Sequence, residues 1–341
     1  MGRPSVTLRE VAELAGVHPS TVSRTLSPET RDLVNEETAR RVDAAVAQLD
    51  YRPNRLARGL KMRRSLTVGV VLPDLTNPFF PPVVRGIEDR LEAEGYTVLL
   101  TNTDGDAERE QRSIGTLLGR QVDGLILAAA TRTDAAVKEL LAGGTPLVLV
   151  NRRVDDPRAV AVVSDDRKGV RLAVDHLAQR GHRTIGHVAG PTSTSTGRAR
   201  RDSFRAAARR HGLQARVVVA EAFTEAAGAV AAAELLREHP DVTAIVAGND
   251  LIALGCLDAL ADAGLRCPAD VSLVGFNDMP FIDKLDPPLS TVHVSHYALG
   301  EQAAALLLEQ LGPGGNRRAT PRLSVVDVSL VVRGSTAPPR A

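Results

Sequence analysis

The sequence predicts an α/β protein in which a small all-α helix-turn-helix head precedes a larger body of two doubly wound parallel-sheet subdomains. The first observation is that short amphipathic helices flank a glycine turn near the start of the chain. The second is that apolar strands then alternate with amphipathic helices in two successive series, which indicates parallel sheets covered on both faces. The chain of 341 residues, 43% of them hydrophobic, can supply more than one core.

The first predicted helix starts at a capping box, in which the Thr7 hydroxyl and the Glu10 carboxylate satisfy each other's backbone amides. Val11 and Leu14 follow at helical spacing, so we expect both side chains to face the core of the head. Gly16 then ends the helix, because glycine readily adopts the left-handed backbone of a sharp turn.

The second predicted helix carries a polar face, and Pro19 suits its first position. Short hydroxyls and a guanidinium on this face can reach phosphates and base edges in a DNA groove; they are Ser20, Thr21, Ser23 and Arg24. Asn35 is the predicted N-cap of a third helix. The pattern also fits two helices of an ordinary small bundle, but the capping box, glycine turn and polar face together favour a DNA-binding head.

The segment from Arg52 to Arg64 is basic and contains no acidic residue. Residues 1–64 carry 12 Lys or Arg and 8 Asp or Glu, whereas the rest of the chain carries 30 and 33. Such a basic head on a slightly acidic body suits binding to a polyanion. Charge alone would favour a solvated linker, and it is the position directly after a helix-turn-helix that favours contact with DNA.

The head resembles the lactose-repressor (LacI/GalR) family of bacterial transcription regulators through the stretches Val11–Val17, Thr21–Arg24 and Tyr51–Ala57. The resemblance implies that the second helix faces the major groove. It also implies that residues 54–60 form a hinge helix that folds on DNA, with Leu60 wedged between base steps in the minor groove. The predicted DNA contacts are Thr7, Pro19, Ser20, Thr21, Ser23, Arg24, Asn35, Asn54, Arg55, Ala57, Arg58 and Leu60.

Two residues depart from the family pattern. His18 stands where the family usually has a serine cap, and an imidazole is a poorer cap than a hydroxyl. Gly59 lies inside the expected hinge helix, where glycine costs about 0.5–1 kcal/mol relative to alanine. We therefore expect this hinge to depend on DNA for its folding more than a typical one.

The body contains two series of alternating strands and helices. The first series has strands beginning at Val68, Thr97, Gly124 and Leu147, with helices near 83–94, 107–120 and 134–142. The second has strands beginning at Thr184, Val217, Ala244 and Val271, with helices near 198–211, 225–238 and 250–262. A helix near 298–311 and a strand over 325–332 complete the body.

The two series resemble the periplasmic-binding-protein fold that the family uses as its ligand sensor. The resemblance implies that the chain crosses between the subdomains near 164, 294 and 325. The predicted domains are a head over 1–51, a hinge over 52–64, a body over 65–333 and a disordered Pro-rich tail over 334–341. Within the body, the N-subdomain comprises about 65–163 and 295–324, and the C-subdomain comprises about 164–293 and 325–333.

Ligands of parallel sheets bind at the carboxyl ends of the strands, and the loops there are rich in amides, carboxylates and guanidinium groups. With phenylalanine rings as flat walls, this mixture suits a small polyhydroxylated or heterocyclic effector. The predicted effector residues are Phe79, Phe80, Asn151, Asp165, Thr196, Arg200, Phe223, Asn249, Asp250 and Asn277. Alignment with the family implies effector contact for six of them: Phe79, Asn151, Arg200, Asn249, Asp250 and Asn277.

Other roles remain open for several of these residues. The Asn249-Asp250 and Asn277-Asp278 pairs also suit helix capping, alone or together with ligand contact. The hydroxyl-rich run over 192–196 sets specificity or is an ordinary mobile loop. Of the neighbouring Arg198, Arg200 and Arg201, we expect one to face the cleft, and Arg200 is the preferred anchor because its guanidinium can form a bidentate fork.

Several functional classes are disfavoured. The polar N-terminus lacks the apolar core of a signal peptide, and no apolar run is long enough for a membrane span, so we expect a cytoplasmic protein. The two cysteines lack metal-ligand spacing, and no phosphate loop or catalytic constellation is present, so the sequence predicts neither cofactor, metal nor enzymatic activity. Absence of leucine heptads from the tail favours a dimer over a tail-built tetramer.

We therefore expect a ligand-responsive regulator, most simply a repressor, that binds a pseudo-palindromic operator in double-stranded DNA as a homodimer. A sugar-like or nucleoside-like effector in the cleft would shift the two subdomains and so change DNA affinity. The alternatives are a solute-binding receptor built on the same body, which the intact head disfavours, and an enzyme of the doubly wound class.

Overall fold

The computed structural model describes residues 6–27, 30–51, 64–312 and 322–340. The chain forms two compact units, Met1–Ser65 and Leu66–Ala341. The expected hinge helix lies outside the described residues, and with it the predicted DNA contacts Asn54, Arg55, Ala57, Arg58 and Leu60, as well as Gly59.

The described part of the head contains three α-helices, α1 (Leu8–Ala15), α2 (Pro19–Thr25) and α3 (Glu36–Gln48), and a 3-10 turn over Arg31–Leu33. The capping box at the start of α1 is formed as predicted. The Thr7 amide donates to the Glu10 carboxylate at 2.6 Å, and the Glu10 amide donates to the Thr7 hydroxyl at 3.4 Å.

Gly16 ends α1 in the left-handed region with φ +63°, so the turn between α1 and α2 has the expected geometry. The small core of the head differs in one position from the expectation. Leu14 is 46% exposed, and Ala12 packs inward in its place, because the buried stripe of α1 runs through Val11, Ala12 and Ala15.

The first sheet of the body has the strand order β11-β5-β4-β3-β1-β2, and all its pairs are parallel. Its strands are β1 (Thr67–Leu72), β2 (Thr97–Asn102), β3 (Gly124–Leu127), β4 (Leu147–Val150), β5 (Ala161–Ser164) and β11 (Leu323–Val326). The helices of this N-subdomain are α4 (Phe80–Glu92), α5 (Ala107–Gly119), α6 (Ala135–Ala142) and α11 (His296–Leu311).

The second sheet has the order β12-β10-β9-β8-β6-β7, in which only the β10–β12 pair is antiparallel. Its strands are β6 (Thr184–Ala189), β7 (Gln214–Val219), β8 (Ala244–Ala247), β9 (Ser272–Asn277), β10 (Ser290–Val294) and β12 (Val328–Val331). The helices of this C-subdomain are α7 (Asp166–Gln179), α8 (Ser195–Arg210), α9 (Glu225–Glu238) and α10 (Asp250–Asp262). The sequence analysis did not predict α7.

The chain passes between the two sheets after β5, after β10 and after β11. The last crossing is at Asp327, between β11 in the first sheet and β12 in the second. The single strand expected over 325–332 in the C-subdomain is therefore wrong. The stretch is apolar except for Asp327 and Ser329, and periodicity alone does not reveal that its two halves pair with different partners.

The expected disorder of the tail is wrong for residues 334–340. Ser335 is fully buried, and its hydroxyl donates to the Leu273 carbonyl at 2.6 Å while accepting from the Ser290 amide at 2.8 Å. Further along, His182 Nε2 lies 2.9 Å from the Ala337 carbonyl. These long-range hydrogen bonds replace the hydrophobic burial that a Pro-rich polar segment lacks. Among the described residues, none of the helices has the length and apolar character to cross a bilayer.

Candidate functional site

Helix α2 presents the polar face that the sequence predicts for DNA contact. Ser20, Ser23 and Arg24 are exposed, whereas Pro19 and Thr21 are half-buried against the head. Val22 on the opposite face is fully buried, so α2 is held firmly while its hydroxyls and guanidinium remain accessible. This arrangement allows contact with phosphates and base edges, and these DNA contacts remain predictions.

Three side chains cap the helices of the head. Thr7 caps α1, and the Asn35 side chain accepts from the Glu37 amide at 2.8 Å at the start of α3. His18 does cap α2, because its Nδ1 accepts from the Ser20 amide at 3.2 Å and from the Ser20 hydroxyl at 2.8 Å. The imidazole therefore orients the Ser20 hydroxyl as well as the helix start, a role that the sequence analysis did not anticipate.

A cavity of about 360 Å³ lies between the carboxyl ends of the two sheets. Its volume is at the lower end of the range for small-molecule sites, roughly 300–1,000 Å³. Loops of both subdomains line it, as expected for parallel sheets. Eight of the ten predicted effector residues line this cavity: Phe79, Phe80, Asn151, Thr196, Arg200, Phe223, Asn249 and Asn277.

Aromatic rings form the flat walls of the cavity. The rings of Phe79 and Phe80 meet edge-to-face with centroids 5.1 Å apart, and Phe79 also contacts the His296 ring at 4.7 Å. On the opposite subdomain, Phe223 lies under the Arg152 guanidinium, 5.8 Å from the ring centroid. Gly190 makes room for this ring, since a Cβ atom there would lie 2.1 Å from Phe223 Cε1. Such walls suit the flat, weakly polar face of a sugar ring or a base.

Arg200 is the most firmly held polar group of the site. It is 3% exposed, its Nε donates to Asp166 at 2.8 Å and its Nη1 donates to the Gly248 carbonyl at 2.7 Å. The guanidinium also stacks on Phe276, 3.6 Å from the ring centroid. These contacts fix the orientation of the guanidinium, so its remaining N–H groups are pre-organised for a ligand.

Asn151 and Asn277 stand in strained backbone conformations, with φ +65° and +123°. Such conformations cluster at ligand-binding sites, where the surrounding structure must compensate for the strain. Asn249 combines the two roles that the sequence left open: its side chain accepts from the Ile252 amide at 2.9 Å to cap α10, and it also lines the cavity. Thr196 is buried and lies 3.3 Å from the Thr194 hydroxyl, which caps α8.

Asp165 and Asp250 are not among the residues that line the cavity, and their contact with an effector stays a prediction. Asp165 caps α7 by accepting from the Lys168 amide at 2.9 Å. Asp250 is fully buried and accepts from the Thr291 hydroxyl at 2.6 Å and from the Met279 amide at 2.9 Å. These hydrogen bonds hold in place the loop that follows Asn277 at the end of β9.

Further polar residues line the cavity. Asn77 and Arg152 belong to the polar loops at the strand ends but not to the predicted effector residues, and Glu110 and Asp134 are not expected from the sequence. Arg152 Nη1 donates to the Ala129 carbonyl at 3.1 Å, and burial lowers its pKa to about 10. A sequence signal existed for Glu110, since this acidic residue lies on the same helical face as the buried Ile114 and Leu117. Within the described part of the chain, no group of three His, Cys, Asp or Glu is arranged to hold a metal ion.

Two family models match the chain. Bacterial regulatory proteins of the lacI family match residues 7–54, and the periplasmic binding proteins and sugar binding domain of the LacI family match residues 65–331. The ribose operon repressor of Halalkalibacterium halodurans is 35% identical over 305 residues, which cover 89% of this chain and 90% of that protein. The repressor CytR of Escherichia coli K12 is 32% identical over 335 residues, which cover 97% and 96%.

Solved structures agree with these relatives. The lac repressor dimer bound to operator and the anti-inducer ONPF has a TM-score of 0.85 and 29% identity, covering 98% of this chain and 100% of that chain. A LacI family regulator from Enterococcus faecium with bound ribose has a TM-score of 0.70 and 31% identity, covering 80% and 100%. The predicted family and α/β fold class are confirmed. The chain therefore belongs to the LacI family of transcriptional regulators, in which a helix-turn-helix DNA-binding head is joined to a periplasmic-binding-protein-like effector domain.

Proposed function

We propose that this chain is a repressor that binds a pseudo-palindromic operator as a homodimer and is controlled by a small polyhydroxylated effector, of pentose size, in the cavity between the subdomains. The observation that carries the proposal is the cavity itself, in which phenylalanine walls face a set of amide and guanidinium groups. Rings with apolar faces and hydroxylated edges fit such a lining.

The relatives support the choice of a pentose. Several curated relatives are named ribose operon repressors, and the Enterococcus faecium structure contains ribose. The cavity of about 360 Å³ has room for a pentose, and it is the identity of the relatives, not the volume, that favours a pentose over a larger sugar or a nucleoside. A nucleoside stays the second candidate, because the paired rings Phe79 and Phe80 would also stack on a base.

The cavity couples to domain movement because both subdomains line it. At its edge the subdomains already touch: the Arg132 amide donates to the Ser193 carbonyl at 2.9 Å, and the Arg153 amide donates to the Ser195 hydroxyl at 2.9 Å. An effector that contacts both sides favours one relative arrangement of the subdomains. The effector can change operator affinity only through the difference between its affinities for the two arrangements of the subdomains. A hundredfold difference shifts the equilibrium between the two arrangements by about 2.7 kcal/mol.

The head supplies the DNA contacts. Two copies related by a two-fold axis place two α2 helices in successive major grooves, which is why we propose a palindromic operator. The proposal assigns binding, not turnover, to the cavity. As a bacterial DNA-binding regulator the protein acts in the cytoplasm, where the nucleoid lies.

The test is a calorimetric titration of the full-length protein with D-ribose, other neutral pentoses and hexoses, and nucleosides, followed by operator binding in the presence of each binder. Saturable binding of a neutral pentose with a change in operator affinity supports the proposal. Saturable binding of a nucleoside alone would move the assignment to the second candidate. Operator binding that no compound alters would defeat the regulatory coupling.

A further inference from the structure

Three of the six buried side-chain polar atoms that lack a partner in the described part of the chain belong to residues of the effector cavity. Among the described residues, such atoms include Glu110 Oε1, Arg152 Nε and Asn277 Oδ1, and all three residues line the cavity. A buried polar atom that lacks a partner loses the hydrogen bond it would make to water, so a small movement of the lining that exposes such an atom to an occupant of the cavity would gain a hydrogen bond. Two of the three are acceptors and one is a donor.

Glu110 is the least expected of these groups. It lies in the first turns of α5, is 6% exposed and takes part in none of the side-chain hydrogen bonds found among the described residues. Two charged groups face it from neighbouring elements: Asp134, before α6, and Arg152, after β4. Burial and the Asp134 charge raise the pKa of Glu110 to about 7, and Arg152 opposes the shift.

Neither Asp134 nor Arg152 forms a hydrogen bond or an ion pair with the Glu110 carboxyl. Asp134 is occupied as the cap of α6, accepting from the Val137 amide at 3.1 Å and from the Thr131 amide at 3.3 Å. Arg152 donates to a backbone carbonyl, and its Nε is left without a partner. The Glu110 carboxyl is therefore available to the interior of the cavity.

The charges that line the cavity are mainly negative. Two guanidinium groups face five carboxyl groups, and Arg200 is already paired with Asp166. The carboxyl groups are those of Asp74, Asp104, Glu110, Asp134 and Glu221, of which Asp104 is paired with Arg109. The dianionic phosphate group of a sugar phosphate would bring further negative charge and has no hydrogen to donate to Glu110 or Asn277, whereas a sugar hydroxyl can donate to either acceptor.

We propose that Glu110 is a specificity-determining residue of the effector cavity: its carboxyl accepts a hydrogen bond from a hydroxyl of a neutral sugar and, together with Asp134, excludes the phosphorylated form of the same sugar. This inference rests on the proposed function and deepens it, because it names a residue and a charge class for the same site. An ionised carboxylate accepts a hydroxyl proton more strongly than a neutral carboxylic acid does.

The experiment is isothermal titration of the full-length protein with D-ribose and with D-ribose 5-phosphate at about pH 6 and about pH 8, on either side of the pKa of Glu110. The variants are E110Q, which keeps the size of the side chain and removes the charge, and the matched control E108Q. Glu108 lies two residues away on α5, exposed to solvent and paired only with Arg112 at 3.5 Å.

We expect the wild type to bind ribose, and to bind ribose 5-phosphate at least about a hundredfold more weakly. The carboxylates of the cavity would repel the phosphate, and the phosphate would offer no hydrogen to the acceptors there. Ribose affinity should fall several-fold from about pH 8 to about pH 6, as Glu110 takes up a proton. E110Q should bind ribose about tenfold more weakly than the wild type at the higher pH. Its ribose affinity should not change with pH, and the ratio of its affinities for ribose and ribose 5-phosphate should be smaller than in the wild type. E108Q should behave as the wild type does.

Three outcomes separate the failure of this inference from the failure of the proposed function. If the wild type binds ribose, but E110Q matches it in affinity, pH dependence and discrimination, Glu110 does not set specificity and this inference alone is overturned. If the wild type prefers the phosphate, the inference is likewise overturned. If the wild type binds neither compound, the pentose assignment of the proposed function is wrong, and this inference is wrong with it.

Discussion

Replacing Arg200 tests the effector site, but a single substitution has two effects: it removes the proposed ligand anchor, and it breaks a buried ion pair that stabilises the fold. Arg200 and Asp166 are almost fully buried, with side-chain exposures of 3% and 9%, and they form an ion pair of 2.8 Å. In Arg200→Met, Asp166 keeps only the Ser164 hydroxyl at 3.3 Å. Removing one partner of a buried ion pair costs about 3–5 kcal/mol, because the other charge is left uncompensated. The loss of the stack on Phe276 adds to this cost.

The double variant Asp166→Asn/Arg200→Met separates stability from ligand binding. Because neither charge remains, we expect it to recover most of the lost stability and to unfold within about 2 kcal/mol of the wild type. Urea unfolding followed by circular dichroism measures this, since the chain has no tryptophan. The double variant should then bind operator as the wild type does, but without any response to ribose. Unchanged stability of Arg200→Met would refute the buried ion pair, and a normal ribose response of the double variant would refute Arg200 as the anchor.

Three further predictions follow from single contacts. Gly190→Ala forces the Phe223 ring to move, because the new Cβ would lie 2.1 Å from it. Ribose affinity measured by calorimetry should therefore fall about tenfold or more, whereas the control Gly115→Ala, with open space around it, should leave ribose affinity unchanged. Burial raises the pKa of Asp250 to about 6, so the folded protein holds its proton more tightly than the unfolded chain. Relative to Asp250→Asn, the free energy of unfolding of the wild type should therefore fall by up to about 3 kcal/mol as the pH rises from about 4 to about 6. A pH-independent difference in urea unfolding would contradict this. Thr7→Ala removes the cap of α1 and should cost the head about 1 kcal/mol, seen without DNA as a lower thermal unfolding midpoint by circular dichroism; an unchanged midpoint would argue against it.

The local signals of the sequence predicted the head and the order of elements well. The capping box of Thr7 and the glycine turn at Gly16 act within a few residues, so their geometry is contained in the pattern itself. Continuous apolar strands likewise identified most strands of both parallel sheets. Leu14 shows the limit of this approach, because the helical period allowed either Leu14 or Ala12 to face the small core.

Features that depend on distant partners escaped the sequence analysis. The tail is ordered by contacts such as that of Ser335 with Leu273, which lies 62 residues earlier in the chain. The split between β11 and β12 depends on which sheet each half joins. No local pattern encodes such pairings.

The candidate site shows the same difference between features that local sequence predicts and features that depend on distant partners. Loops at the carboxyl ends of strands were correctly expected to converge, and they bring Arg200 and the phenylalanine rings to one cavity. Asp250 has the residue type of a ligand contact, yet its hydrogen bonds to Thr291 and Met279 turn it inward. Glu110 was missed because an acidic residue on a helix is usually solvated, and this expectation outweighed its position on the same helical face as Ile114 and Leu117.

The central claim is that a small solute in the cavity changes how tightly the head holds duplex DNA. The most direct measurement is fluorescence anisotropy of the full-length protein with a labelled duplex, selected from random sequence for tight binding, titrated at fixed salt with and without saturating D-ribose. The account predicts specific binding whose dissociation constant changes by at least about tenfold, or about 1.4 kcal/mol, when ribose is added. Identical binding curves, under conditions in which calorimetry shows the sugar bound, would contradict it.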